Sequence, residues 1–184
     1  NAVAKRAFDL VFAVTVLMAL SPLYALLAAA VRLTSSGPVL YRQDRMGLDG
    51  QSFRMLKFRT MKVGAEAESG PVWARAGDAR RTAIGAFLRR FSLDELPQFV
   101  NVLRGEMSVV GPRPERPVFV ERFRQTVPGY MLRHKVKSGV TGWAQINGLR
   151  GNTSLERRIE YDIQYIERWS FWLDLKIIAL TVVR

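Results

Sequence analysis

Residues 10–31 read LVFAVTVLMALSPLYALLAAAV, twenty-two positions without a charge, and the pair Ser21-Pro22 stands at their centre. The run is long enough to span a bilayer, for which about 20 apolar residues suffice. Its flanks argue against a simple crossing. Lys5 and Arg6 precede it and Arg32 follows it, whereas a through-going helix usually carries its Lys/Arg excess on the cytoplasmic side. Pro22 lacks a backbone donor and its ring clashes with the preceding turn, so it kinks or breaks a helix. The Ser21 hydroxyl can bond a carbonyl freed in that turn, a repair that matters where no water can serve. At about 1.5 Å per residue, Leu10–Ser21 rises about 18 Å and Pro22–Val31 about 15 Å. Each leg then reaches only the middle of a hydrocarbon core about 30 Å thick. The stretch predicts a re-entrant helix–break–helix within residues 1–36 that dips into one leaflet and returns both ends to the cytoplasmic side. A straight span with a mild proline kink is the alternative. A cleaved signal peptide is disfavoured, because no small-residue cleavage site follows the run.

Residues 37–184 leave room for one domain with its own core. The chain has no cysteine, which excludes disulfides, thiolate catalysis and cysteine zinc sites. The single histidine, His134, lies between Arg133 and Lys135, where neighbouring cations disfavour the imidazolium. A serine triad or a histidine metal site has almost nothing to build on, so any catalysis must run on carboxylates, hydroxyls and cations. Basic residues number 28 against 16 acidic, a net charge of +12, and 22 of the 28 are arginine. The guanidinium fork matches phosphate bidentately. Nucleic acid, anionic lipid or a phosphorylated substrate can answer such a charge, as can an ordinary solvated surface. The membrane segment favours lipid, and nucleic acid is disfavoured because basic-aromatic repeats and a zinc-finger pattern are both missing.

Organisation follows from the breaks. Thr34-Ser35-Ser36-Gly37-Pro38 ends the membrane segment. Val39–Arg42 and Phe53–Phe58, separated by Gly47-Leu48-Asp49-Gly50, read as a β-hairpin. Lys62–Asp78 reads as a mobile loop with one helical turn. Arg80–Phe91 places Ile84, Phe87, Leu88 and Phe91 at helical spacing, and a second helix is expected over Leu93–Leu103. Gly111–Pro117, with three prolines, is a stiff loop; Val118–Gln125 is a short helix; Lys137–Asn152, with four glycines, is loop. The next helix starts at a T-x-x-E capping box, Thr153 to Glu156, with Leu155, Ile159, Ile163 and Ile166 as its stripe. Trp169, Phe171 and Trp172 then introduce Leu173–Val183, which is too short and too charged to span. It is expected either in the membrane interface or as a buried C-terminal helix. The fold class is α+β and predominantly helical: a re-entrant hairpin over 1–36, then a small cytoplasmic domain over 37–184 with a short β-hairpin and interfacial amphipathic helices.

The densest chemistry is Arg89-Arg90-Phe91-Ser92-Leu93-Asp94-Glu95. Adjacent carboxylates on a helix do not face each other, so a proton-sharing dyad is disfavoured. They can divide labour, one as nucleophile while the other holds a metal or orients the first. The same residues also form an S-x-x-E capping box, a structural reading compatible with the functional one. A helix start behind two arginines is in addition a phosphate site. In Lys57-Phe58-Arg59, strand alternation aims the two cations together, toward a diphosphate or toward solvent. Arg113 is presented by Pro112 and Pro114 with little freedom left to lose, unless it is incidental to a proline-rich turn. Trp143 reads as a base-stacking, lipid-touching or core residue. Gly148 and Gly151 do not follow a strand, so no dinucleotide fingerprint is supported.

Taken together, these strings resemble one family. Phe8–Pro22, GPVLYRQDRMG (37–47), FRMLKFRTM (53–61), LRRFSLDELPQFVNVLRGEMSVVGPRP (88–114), RHKVKSGVTGWAQINGLRG (133–151) and YDIQYIERWSFWLDLKII (161–178) stand in the order seen in bacterial sugar transferases. These are the polyprenyl-phosphate phosphoglycosyl transferases with a single re-entrant helix. The resemblance implies that Asp94 attacks the β-phosphate of a UDP-sugar, releasing UMP and leaving a phosphosugar on the carboxylate. Polyprenyl (undecaprenyl) phosphate then takes the phosphosugar. It implies Asp94 and Glu95 as the catalytic pair and as magnesium ligands, with Lys57, Arg59, Arg89, Arg113 and Arg150 toward the phosphates. It also implies a catalytic domain on the cytoplasmic face of the bacterial inner membrane, among lipids, with homo-oligomerisation left open. Longer members carry spanning helices and a further domain first, so this chain, opening at Asn1, is expected to be a short form or a catalytic unit. Gly70–Asp78 departs most from the family pattern, and the general look of 112–124 and 149–155 leans toward UDP-glucose or UDP-galactose in exopolysaccharide synthesis. A membrane-anchored lipid-binding module without catalysis is the competing reading.

Overall fold

In the computed structural model, residues 2–67, 70 and 78–183 are described. Helix α1 (Ala2–Ala19) and helix α2 (Ser21–Thr34) meet at Leu20 with a 64° bend. The cause is local. Pro22 cannot donate to the carbonyl of Met18, and the Ser21 hydroxyl takes that carbonyl instead at 2.9 Å. Among the described residues no single helix is long and apolar enough to cross a membrane, but the bent pair is so by length and composition. The 64° turn redirects the chain without reversing it, so the two legs are not antiparallel.

Both legs are braced by the chain that follows them. Arg6 donates to the carbonyls of Val102 (2.6 Å) and Leu103 (2.9 Å) at the end of helix α4 (Gln98–Arg104). Asp9 accepts from the Ser108 hydroxyl and the Val109 amide, both at 3.1 Å. On the other leg, the Tyr24 hydroxyl donates to Leu96 O at 2.6 Å. Ala13 lies fully buried in a core with Met55, Val102, Met107, Val110 and Ile177, while Leu27 and Val31 bury against Phe58 and Leu88. The opposite side of the pair is apolar and open: Met18 is 72% and Leu33 85% exposed.

The expected hairpin is present and longer than its apolar cores: β1 (Leu40–Met46) pairs antiparallel with β2 (Ser52–Phe58). Its polar positions belong to the strands because Arg42, Gln43 and Asp44 pair with Leu56, Met55 and Arg54. Of the loop expected over 62–78, residues 63–67 form turns, and 68, 69 and 71–77, which hold most of the atypical stretch, lie outside the described residues. Helix α3 is Ala83–Arg90, shorter than expected because Thr82 caps it, accepting from Gly85 N at 3.0 Å. Gly85 lets α3 lie on the strand end, since a Cβ there would collide with the Thr60 carbonyl. The expected stripe is only partly buried. Leu88 is covered, but Phe87 and Phe91 are half-exposed and pack on each other at 5.1 Å.

The single helix expected over 93–103 is instead a 3₁₀ turn, Leu93–Glu95, followed by α4. Pro97 explains the division, because its ring cannot continue a ladder already begun at Leu93. The glycine-rich stretch holds structure that its composition hides. Strand β3 (Ser108–Val110) pairs in parallel with β4 (Gly139–Thr141), and helix α6 (Trp143–Ile146) follows. Between them come helix α5 (Pro117–Thr126) and a 3₁₀ turn over Tyr130–Lys135. Helix α7 (Leu155–Glu167) is capped one residue later than expected. Ser154 accepts from Arg157 N at 3.2 Å and donates to Glu156 at 2.9 Å, while Thr153 accepts from Arg158. Its fully buried residues are Arg158, Ile159, Asp162 and Tyr165; the expected stripe packs, with Leu155 and Ile163 against Ile159 and Ile166 against the neighbouring core, and two charges are buried beside it. Helix α8 (Phe171–Val183) buries Asp174 and Ile177 and leaves Trp172 exposed. Lys5 lies 2.8 Å from Asp174, tying α8 to α1. Trp143 packs against the α1 core and stacks on Tyr161 at 6.4 Å.

Candidate active site

Asp94 and Glu95 are adjacent and live in different electrostatic worlds. Ser92 has left-handed backbone (φ 55°), which ends α3 and turns the chain into the 3₁₀ turn that carries both carboxylates. Ser92 makes no side-chain cap, so the expected S-x-x-E box does not form. Glu95 is drawn the other way. It accepts from Lys57 Nζ at 2.8 Å and from the Arg113 fork at 3.1 and 2.5 Å. Burial alone would raise its pKa, but Arg113 and Lys57 outweigh that and hold it well below the usual carboxylate range. Asp94 is buried too, and among the described residues it has no hydrogen-bond or ion-pair partner. Its pKa is pushed up, chiefly by burial and against the pull of Lys57. One carboxylate is thus neutralised and fixed, while its neighbour keeps its lone pairs free.

Both line a cavity of about 830 Å³, within the size of small-molecule sites. Lys57, Arg59, Arg89, Arg113 and Arg150 line it as well, so one cleft gathers both carboxylates and all five cations that the resemblance implies. Their roles differ. Arg89 lines the cavity and donates from Nε to the Thr60 hydroxyl at 2.8 Å, and burial lowers its pKa. Arg113 is anchored between Glu95 and Gln145 Oε1 (3.1 Å). Arg150 is exposed at the rim, its pKa lowered by partial burial and by Arg113. The Arg59 guanidinium is turned to the end of α2, bonding the Ser36 carbonyl and, at 2.8 and 2.9 Å, the carbonyl and hydroxyl of Ser35. It fastens the end of α2 to β2, while Lys57 reaches Glu95, so the two strand cations do not converge on one point.

Sequence reasoning missed four groups here. Thr60 and Gln145 orient Arg89 and Arg113; Arg116 forms a two-pronged pair with Glu66 at 2.8 and 2.9 Å. Arg45 donates to Pro114 O at 2.9 Å from β1. Only long-range pairing brings them in, although Arg45, Thr60 and Gln145 stand inside motifs that the family resemblance covers. His134 is buried, and its pKa falls to about 4, more through burial than through Arg133.

For a divalent cation, the donor set is narrow. Among the described residues no group of three or more acidic or histidine side chains converges on a point. Both Glu95 oxygens are engaged by cations, which leaves Asp94 as the carboxylate able to meet a metal. Magnesium sites commonly use one or two carboxylates plus substrate phosphates, so Asp94 fits that pattern and Glu95, as placed here, does not.

A free carboxylate in a cleft walled by guanidinium groups defines a site suited to phosphorylated substrates. The family model described as "Bacterial sugar transferase" matches residues 1–184. The chain is 52% identical over 188 residues to the UDP-glucose:undecaprenyl-phosphate glucose-1-phosphate transferase of Escherichia coli (strain K12), covering 100% of this chain and 40% of that protein. The protein of the same name in Caulobacter vibrioides is 46% identical over 184 residues, covering 97% and 68%. A UDP-N-acetylgalactosamine-undecaprenyl-phosphate N-acetylgalactosaminephosphotransferase of Aeromonas hydrophila is 42% identical, covering 97% and 42%. The chain belongs to the bacterial sugar transferase family. It spans about two fifths of the length of the E. coli relative.

Proposed function

We propose that the protein moves a sugar 1-phosphate from a UDP-sugar to polyprenyl phosphate in two displacements at Asp94. An Asp94 oxygen attacks the sugar-bearing β-phosphorus, the bond from that phosphorus to the bridging oxygen breaks, and UMP leaves with that oxygen. The phosphate oxygen of the polyprenyl acceptor then attacks the same phosphorus, the acyl-phosphate bond breaks, and the carboxylate is restored. The observation that carries this reading is the division between an unpartnered Asp94 and a Glu95 held by Lys57 and Arg113. Two partial reactions allow the soluble donor and the lipid acceptor to use one cleft in turn.

The side chains supply position and charge. Arg89, Arg113 and Arg150 face the diphosphate, and Arg113 can pass one donor to phosphate while keeping Glu95 on the other. Lys57 keeps Glu95 anionic and fixed, which restrains Asp94 beside it. Asp94, together with the donor phosphates, would hold magnesium, which would offset the diphosphate charge. The bent α1–α2 pair, apolar on its open side, enters one leaflet and returns, so residues 1–36 form the membrane segment and 37–184 the catalytic domain at the cytoplasmic face of the bacterial inner membrane. UDP-glucose is the favoured donor, in keeping with the names of the relatives at 46–52% identity. Incubation with UDP-glucose, UDP-galactose or UDP-N-acetylgalactosamine, magnesium and undecaprenyl phosphate tests this. Release of UMP supports the enzyme; vesicle binding without UMP from any donor supports a lipid-binding module instead.

A further inference from the structure

Arg113 is held from behind as well as from in front. It lies in Gly111–Arg116 (GPRPER), where two prolines remove backbone donors and no regular ladder can form. The carbonyls of this loop are met one after another from other elements. Gly139 N donates to Pro112 O at 2.9 Å, Arg133 Nη2 to Arg113 O at 2.8 Å, Arg45 Nη1 to Pro114 O at 2.9 Å and Met46 N to Glu115 O at 2.9 Å. At the loop entrance, Gly111 and Gly139 pass so closely that a Cβ on Gly139 would collide with Gly111 N.

Among these donors Arg133 stands apart. Its side chain is 1% exposed, and Nη2 lies 2.7 Å from Oδ2 of Asp162 on α7, itself 2% exposed. Nη1 donates to the Tyr130 hydroxyl at 3.1 Å. Unlike Arg113, it does not line the cavity. A buried pair of this kind is a weak source of stability, because an apolar pair of the same volume often does as well or better. An apolar pair cannot donate to the Arg113 carbonyl.

We infer that Arg133 and Asp162 are positioning residues for Arg113. Asp162 holds the Arg133 guanidinium in one orientation, Arg133 fixes the Arg113 carbonyl, and that sets where the Arg113 fork stands relative to Glu95 and the donor diphosphate. The inference rests on the reading of Arg113 as a diphosphate ligand. Lysine at 133 would keep a charge for Asp162, but a single ammonium lacks the fork that reaches Asp162, Tyr130 and the carbonyl together.

The test is a double-mutant cycle in donor kinetics: the unmutated protein, Arg113→Lys, Arg133→Lys and the double variant, each with thermal unfolding recorded. Misplacing a reacting group by about 1 Å costs on the order of 100-fold, so Arg133→Lys is expected to lower kcat/KM for the UDP-sugar by about 10- to 100-fold. In the Arg113→Lys background the same change should cost less than about twofold, because its route of action is already lost. The Arg133→Met/Asp162→Leu variant removes the pair without stranding a charge, and should fold and show the same loss if Arg133→Lys does not fold. Losses that multiply around the cycle mean an independent structural role and overturn the inference. A folded Arg133→Lys or Arg133→Met/Asp162→Leu protein with unchanged kcat/KM overturns it too. Unchanged kinetics in Arg113→Lys alone would remove the diphosphate reading underneath, a result distinct from the other two.

Discussion

Replacing Glu95 by glutamine separates the two accounts of that residue. In the structure Glu95 accepts three charge-assisted bonds, from Lys57 at 2.8 Å and from Arg113 at 3.1 and 2.5 Å, with side-chain exposures of 15% for both Glu95 and Lys57 and 26% for Arg113. Removing one partner of a buried pair costs about 3–5 kcal/mol, and the partial exposure here argues for about 3 kcal/mol. For a chain of this size that is a fall of about 6–12 °C in Tm. A capping role, by contrast, is worth about 1 kcal/mol. The pH dependence sharpens the test. Glu95 has a depressed folded-state pKa, so its contribution is complete above the unfolded glutamate value and is lost as pH falls through the folded one. The gap between the unmutated protein and Glu95→Gln, read by circular dichroism melts in detergent, should be steady near neutrality and narrow below about pH 4.3. A gap of about 1 kcal/mol or less that ignores pH would refute the ion-pair account of Glu95.

Arg113→Lys and Arg89→Lys should each lower kcat/KM for the donor about tenfold or more, since lysine keeps charge without the fork; equal kinetics in both would leave the diphosphate site elsewhere. Arg59→Gln should act on stability, lowering Tm while leaving the donor KM within about twofold, because its guanidinium binds Ser35 and Ser36; a large KM change at unchanged Tm would return it to the phosphate site. In the protein freed of magnesium, the Asp94 carboxyl followed by NMR should titrate above the ordinary aspartate range, because burial raises it; titration at or below that range contradicts the buried, unpartnered placement of Asp94. A cysteine placed near Asn1 in this cysteine-free chain should react with an impermeant thiol reagent only from the cytoplasmic face. With Ser21→Ala and Pro22→Ala together, a fraction should become reachable from outside; outside labelling without those changes would mean a true span.

Much of the molecule is legible from local pattern. Pro22 and Ser21 mark the bend, and the Gly47–Gly50 turn marks the hairpin, because both depend on residues close in sequence. The cationic cleft is legible through its members, Lys57, Arg89, Arg113 and Arg150, since few other chemistries remain to a chain without cysteine. Distant partners set the rest. Glu95 looks like a cap because Ser92 stands three residues before it; only the fold brings Lys57 and Arg113 to it and puts Ser92 in left-handed backbone. Asp162 and Arg158 lie outside the apolar stripe of α7, yet they are buried because Arg133 and Glu115 meet them. Strand alternation groups Arg59 with Lys57, but the strand ends at Phe58 and the side chain turns to α2. Strand β4 is hidden by glycines, which are needed there for the close passage of Gly111 and Gly139.

If Asp94 carries the phosphosugar between donor and acceptor, as proposed, the carboxylate is loaded before the lipid binds. The measurement is made with UDP-glucose and magnesium but no polyprenyl phosphate, following UMP release and the intact mass of the protein in the same sample. The unmutated chain should release a burst of one UMP per active site and gain the mass of one phosphosugar, located at Asp94 by fragmentation. Asp94→Asn should show neither. UMP that appears only after polyprenyl phosphate is added, with no mass gain before it, would rule out the phosphosugar on Asp94 and point to direct transfer from donor to lipid.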